Sequence, residues 1–104
     1  MKKGNLIIAL DGITPKEALS IARKLKGEVW GFKVGDLLYE DSSIIRKLKK
    51  FGNVFVDMKL HDIPNTVANS VKRLSHAGAD MITVHASGGI EMMKAAKQNA
   101  GKSK

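Results

Sequence analysis

Asn53-Val54-Phe55-Val56-Asp57-Met58-Lys59 is an apolar, β-branched run that closes on two charged residues. Its length and composition predict a strand. The loop Leu60-His61-Asp62-Ile63 then leads to Pro64, which opens a stretch of helical period through Val67, Val71 and Leu74 that stops near Gly78. The same order of strand, short loop and helix recurs on both sides. Upstream, Asn5-Leu6-Ile7-Ile8-Ala9-Leu10-Asp11 reads as a buried strand. Thr14 follows as N-cap, with Pro15 at the first helical position, and the apolar face Ala18, Leu19, Ala22 and Leu25 ends at Gly27. Glu28-Val29-Trp30-Gly31-Phe32-Lys33-Val34-Gly35 is a second strand, and a single helix through Ile44, Ile45 and Leu48 is expected to end near Gly52. Downstream, Ala79-Asp80-Met81-Ile82-Thr83-Val84-His85 is a fourth strand. A last helix runs from about Ile90 to Asn99, before Gly101-Lys102-Ser103-Lys104.

Four such units make an α/β chain, and residues 1–104 are expected to form one domain. Continuously apolar strands alternating with helices imply a parallel sheet covered by helices. The period alone leaves two architectures open, the doubly wound sheet and the (β/α)8 barrel. A dinucleotide-binding sheet favours a glycine-rich turn after its first strand. Asp11-Gly12-Ile13-Thr14-Pro15 is not one.

With 43% hydrophobic and 27% charged residues, the composition is that of an ordinary globular protein, so neither disorder nor a fibrous fold is expected. No apolar run approaches the length of a membrane helix. Met1-Lys2-Lys3-Gly4-Asn5 leads directly into a strand-length run, unlike a secretory leader, so a cytoplasmic location is expected. The absence of cysteine excludes disulfides, thiolate nucleophiles and Cys-ligated metal within this sequence. The formal net charge is +8, but Lys16, Lys24, Lys26, Lys47, Lys49, Lys50 and Lys72 are scattered along helical stretches, as on solvated faces. Aromatic interleaving and nucleic-acid motifs are missing, so neither nucleic acid nor membrane is an expected partner.

The polar residues at the strand ends carry the functional reading. Asp11 closes the first strand, Lys33 lies near the end of the second, Asp57 and Lys59 close the third, and His85 closes the fourth. Charges inside apolar parallel strands are costly unless paired, and in barrels this end of the strands carries the active site. Asp57 and Lys59, two residues apart, point to one face about 6.6 Å apart along the backbone. They can pair with each other and with Lys33 or Asp11. Such an array suits a reaction in which a carboxylate destabilises a bound anion and a lysine protonates a developing carbanion. It equally suits a salt-bridge network that holds the sheet end together. Asp62 admits two readings, a site residue or a helix N-terminal Asp favoured by the helix dipole. His61 reads as a hydrogen-bonded loop residue, His76 as surface, and His85 as either polar or core. The histidines lack metal-site spacing, and no metal is expected.

Val56-Asp57-Met58-Lys59-Leu60-His61-Asp62-Ile63-Pro64-Asn65-Thr66-Val67 resembles the signature of the orotidine 5′-phosphate decarboxylases. Leu10-Asp11, Gly31-Phe32-Lys33-Val34-Gly35 and Thr83-Val84-His85-Ala86-Ser87-Gly88-Gly89 resemble other segments of the same family. The resemblance implies a cofactor-free (β/α)8 barrel that converts orotidine 5′-phosphate to UMP and carbon dioxide in pyrimidine biosynthesis. It implies that Lys59 protonates C6 of the pyrimidine and that Asp57 sits against the substrate carboxylate. Lys33 would bind a ribose hydroxyl and Asp57, and Asp11 would bind the ribose. It also implies a homodimer in which Asp62, Ile63 and Thr66 reach the partner's pocket. A sister group, the magnesium-dependent hexulose-phosphate synthases and ketogulonate-phosphate decarboxylases, shares Asp-x-Lys-x-x-Asp. Ile63-Pro64-Asn65-Thr66 favours the orotidine enzyme. The departure is length, since a (β/α)8 barrel takes about 250 residues. Strands five to eight, with the phosphate-gripping loops and Arg, are missing. The chain is therefore expected to be half of a barrel, poorly active or inactive alone. Its open strand edges favour self-association, and a non-catalytic, self-assembling half barrel is the alternative.

Overall fold

The computed structural model describes residues 4–104; Met1–Lys3, part of the stretch read as lacking a leader, lie outside them. The elements are β1 (Ile7–Ala9), α1 (Pro15–Leu25), β2 (Gly31–Val34), α2 (Leu37–Glu40), α3 (Ile44–Leu48), β3 (Asn53–Leu60), α4 (Pro64–His76), β4 (Met81–Val84) and α5 (Ile90–Asn99), with a 3₁₀ turn over Ala86–Gly88. The four strands form one sheet in the order β1-β2-β3-β4, and every neighbouring pair is parallel.

That order separates the two architectures. A doubly wound sheet reverses its strand order at a switch point, which sends helices to both faces. Here each strand adds beside the one before it. Right-handed crossovers then place the helices on one face, as in a barrel wall. Phe32, Val34, Val54 and Val56 are completely buried and pack with Ala18, Ala22, Ile44 and Leu48 of the helices. The alternate residues Lys33, Phe55 and Asp57 point to the opposite face and stay partly exposed. Val67 and Val71 of α4 meet Met92 and Ala96 of α5 in a second apolar cluster. Gly31 has a steric reason: it stands opposite Asn53, and a Cβ there would lie 2.0 Å from the Asn53 carbonyl oxygen.

The first helix begins as its sequence dictates. Thr14 Oγ1 accepts from Glu17 N at 3.1 Å while Glu17 Oε1 accepts from Thr14 N at 3.0 Å, a reciprocal capping box. Two expectations change. The first strand is not buried: Leu6 is 65% and Ile7 40% exposed. As an edge strand, β1 has a neighbour on one side only, and its inner face meets no opposing wall. The single helix expected through Ile44, Ile45 and Leu48 is two short helices, α2 and α3. Asp41 causes the break. Its Oδ1 accepts from Ser43 N (2.9 Å) and Ser43 Oγ (2.5 Å), and its Oδ2 from Lys47 Nζ (2.7 Å), so the chain restarts there.

At the other edge, Lys104 N donates to Asp80 O (2.9 Å) and Lys104 O accepts from Ile82 N (2.8 Å). This is the pattern of a first rung of a further parallel strand beside β4. Buried Ser103 fixes the approach: its hydroxyl donates to Ala79 O (2.5 Å) and lies 3.1 Å from Ser75 Oγ. Among the described residues, no helix is long and apolar enough to cross a membrane.

Candidate active site

Asp57 sits near the end of β3 with its side chain only 12% exposed. Its Oδ2 receives Lys59 Nζ at 2.9 Å and Lys33 Nζ at 3.4 Å. Its Oδ1 accepts from Thr83 Oγ1 on β4 at 2.8 Å. Lys33 Nζ also lies 4.0 Å from Asp11 Oδ2, two residues past the end of β1. The sheet therefore brings Asp11, Lys33, Asp57 and Lys59 from three adjacent strands into one chain of charges. The Lys59 hydrogen bond is the main cause holding the Asp57 carboxyl below its ordinary range. Partial burial works against it, and the Thr83 and Lys33 hydrogen bonds add to the lowering. Asp57 is thus a fixed anion at neutral pH.

The register explains how both charged residues of β3 reach this spot. Val56 pairs with Ile82 and Leu60 with Val84, so Asp57, Met58 and Lys59 together stand opposite Thr83 alone. This bulge re-aims the strand, as bulges do beside active sites. Lys59 takes φ +48°, and among the described residues no other non-glycine has a positive φ. The left-handed region costs a side-chain-bearing residue roughly 1–2 kcal/mol, so a strained residue stands where the chemistry was expected. The Lys59 side chain is 68% exposed, open to a ligand on the inner face.

Asp62, Ile63 and Thr66 do not join the Asp57 cluster. All three are exposed, on the loop after β3 and the first turn of α4. Asp62 does not cap that helix: Ile63 is the N-cap, and among the described residues the Asp62 carboxylate accepts only from Ile63 N (2.7 Å). Asp62 and Thr66 instead share with Lys59, His61 and Tyr39 the lining of an open cleft of about 300 Å³. His61, expected as a hydrogen-bonded loop residue, stacks on His85 with ring centroids 4.8 Å apart, because the two loops run side by side. His85 is exposed, and its Nδ1 pairs with Ser87 Oγ at 2.6 Å. His76 is on the surface, as expected. Among the described residues no three His, Cys, Asp or Glu are grouped so as to hold a metal ion.

Asp57 and Asp41 make the fold acid-sensitive. Lys47 and Ser43 pull the Asp41 carboxyl from 3.8 down to about 2, and Asp57 is lowered as well. Groups lowered on folding contribute stability above their unfolded pKa and lose it as pH falls through the folded value. The urea midpoint should hold from pH ~7 to ~5 and drop between about 4 and 2. Asp41→Asn should shrink that drop, and a midpoint that rises on acidification would contradict the assignment.

A profile of the orotidine 5′-phosphate decarboxylase / HUMPS family matches residues 4–104. The chain belongs to that family. Curated relatives named orotidine 5′-phosphate decarboxylase include one from Streptococcus suis, 46% identical over 106 residues, covering 98% of this chain and 46% of the relative. Another, from Carboxydothermus hydrogenoformans, is 49% identical over 94 residues, covering 88% and 39%. The chain thus spans less than half the length of these relatives. Among solved structures, orotidine 5′-phosphate decarboxylase from Lactobacillus acidophilus matches with TM-score 0.83 and 36% identity over 98% of this chain and 48% of that one. The Methanocaldococcus jannaschii orotidine 5′-monophosphate decarboxylase complexed with inhibitor BMP matches with TM-score 0.85 and 33% identity, over 97% and 49%. The four strand–helix units are half of the (β/α)8 barrel of the orotidine 5′-phosphate decarboxylase / HUMPS family.

Thr83 is the member of the Asp57 cluster that sequence reasoning missed. A threonine in a strand is unremarked, because its branched side chain suits strands everywhere. The available signal was the alternation in Met81-Ile82-Thr83-Val84, which turns Thr83 to the face opposite Ile82 and Val84 and toward the Asp57 side of the sheet.

Proposed function

We propose that this chain is the N-terminal, catalytic half of an orotidine 5′-phosphate decarboxylase, which releases carbon dioxide from orotidine 5′-phosphate to give UMP in pyrimidine biosynthesis. The observation that carries the reading is the partly buried Asp57 anion, gripped by Lys33 and Lys59 on one oxygen and by Thr83 on the other. A substrate carboxylate placed against Asp57 is raised in energy, and losing it as carbon dioxide relieves the repulsion. Lys59, within reach and exposed, delivers its proton to C6 as negative charge builds there. Fixed charges of this kind need no reorganisation in the transition state. Lys33 and Asp11 extend the charge chain toward a ribose.

The family's active unit is read here as a cytoplasmic homodimer that needs no cofactor. Asp62 and Thr66 line the cleft beside Lys59 and Ile63 is exposed next to them, which leaves all three open to a second copy, where they would enter its site. Residues 1–104 are one domain-half, and the strands that would grip the phosphate belong to the second half. Binding energy from that remote group supports the chemistry, so the chain alone should turn over poorly.

The test follows the fall in orotidine 5′-phosphate absorbance with the chain alone and with the remaining four units of a relative added as a separate polypeptide. Turnover that rises when the second half is added supports the proposal. A reconstituted barrel that binds UMP yet leaves orotidine 5′-phosphate unchanged defeats it.

A further inference from the structure

We propose that Thr83 is a positioning residue of this site, a hydroxyl clamp that sets both the direction of the Asp57 carboxylate and the strained backbone of Lys59. One hydroxyl makes two bonds of opposite sense. Thr83 Oγ1 donates its only hydrogen to Asp57 Oδ1 at 2.8 Å and accepts the backbone N–H of Lys59 at 2.9 Å. The first bond occupies Oδ1 and leaves Oδ2 to the two lysines. The second satisfies an N–H in the bulged part of β3, where three residues face Thr83 alone and the regular ladder is interrupted. The left-handed Lys59 is therefore held from outside its own strand. Valine at this position has the same shape but neither donor nor acceptor. Serine keeps both.

The kinetic consequence rests on the decarboxylase reading above; the geometric one does not. In the reconstituted barrel, Thr83→Val should lower kcat by about tenfold or more, since small misplacements of reacting groups are costly, with KM within about threefold. Its acid limb should move to higher pH, because the carboxylate loses a bond that favours its charged form. Thr83→Ser should recover most of the rate and return the acid limb. In the 104-residue chain, carboxyl ¹³C NMR should show the Asp57 titration midpoint raised in Thr83→Val and restored in Thr83→Ser. The Lys59 amide should exchange faster in the valine variant. An unchanged Asp57 midpoint together with an unchanged Lys59 exchange rate in folded Thr83→Val overturns the inference. Should Thr83→Val not fold, Thr83→Ser decides: a loss of Lys59 amide protection overturns the clamp, and retention of both readouts upholds it. Absence of wild-type turnover would sink the decarboxylase reading and leave the NMR arm to judge Thr83.

Discussion

If the barrel completed by a second half is the proposed decarboxylase, Lys59→Ala should lower its rate by about 10²–10⁴-fold, the range expected when a positioned proton donor is lost. Lys59 Nζ, 2.9 Å from Asp57 and largely exposed, is the ammonium of the cluster best placed to meet a ligand from the inner face. Lys33 is more enclosed and shared between Asp57 and Asp11. The same position allows a second readout. Lys59 has φ +48°, which an alanine there inherits and a glycine does not resent. Lys59→Gly should therefore be more stable than Lys59→Ala by roughly 1 kcal/mol, while both are inactive. The rate is read from orotidine absorbance and the stability from urea midpoints. An alanine variant within tenfold of wild type removes Lys59 from the chemistry, and a glycine variant less stable than the alanine one removes the strain.

Phe32→Ala should cost about 3–5 kcal/mol, the largest stability loss expected from a single change here. Phe32 has no exposed surface and lies between the sheet and the helices with Val54, Ala18 and Ile44. Domains of this kind hold only about 5–15 kcal/mol in total, and an open half sheet leaves part of its apolar surface uncovered. The variant should lose most of its cooperative urea transition by circular dichroism, and Phe32→Leu should retain one. A Phe32→Ala transition within ~1 kcal/mol of wild type would show that the site collapses to fill the gap. The loss also reaches the site, because Phe32 pointing into the core is what turns its neighbour Lys33 to the opposite face.

Much of this was legible in the sequence, for identifiable reasons. Pro15 and Pro64 mark helix starts, and the apolar runs of all four strands stand out against the helical period between them. The charges at Asp11, Lys33, Asp57 and Lys59 were conspicuous because ionised groups rarely end three successive apolar runs without a shared purpose. What stayed hidden depends on pairing across strands. The bulge at Asp57–Lys59 has no local signature, since the slip is defined only against Ile82 and Val84. The alternation around Thr83 gives its face, but its place opposite Asp57 is defined only by the pairing of β3 with β4. The break between α2 and α3 was written in Asp41-Ser42-Ser43, polar residues that favour local capping over helix, but the apolar pattern around them masked it. The exposure of Ile7 followed from its place at the sheet edge, which no feature of its own segment reveals.

The strictly sequential order of the strands has a consequence for how the protein is made. Every contact in the Asp57 cluster lies within one unit or joins neighbouring units, with separations of 2 residues to Lys59, 24 to Lys33 and 26 to Thr83. Nothing in the cluster waits for a distant part of the polypeptide. Chains emerge from the ribosome N-terminus first, and contacts between neighbouring segments close fastest. The anion and its two ammonium partners can assemble while later segments are still being synthesised, as soon as β4 docks. Lys104, bonded between Asp80 and Ile82, sets the alignment that any further parallel strand beside β4 would take.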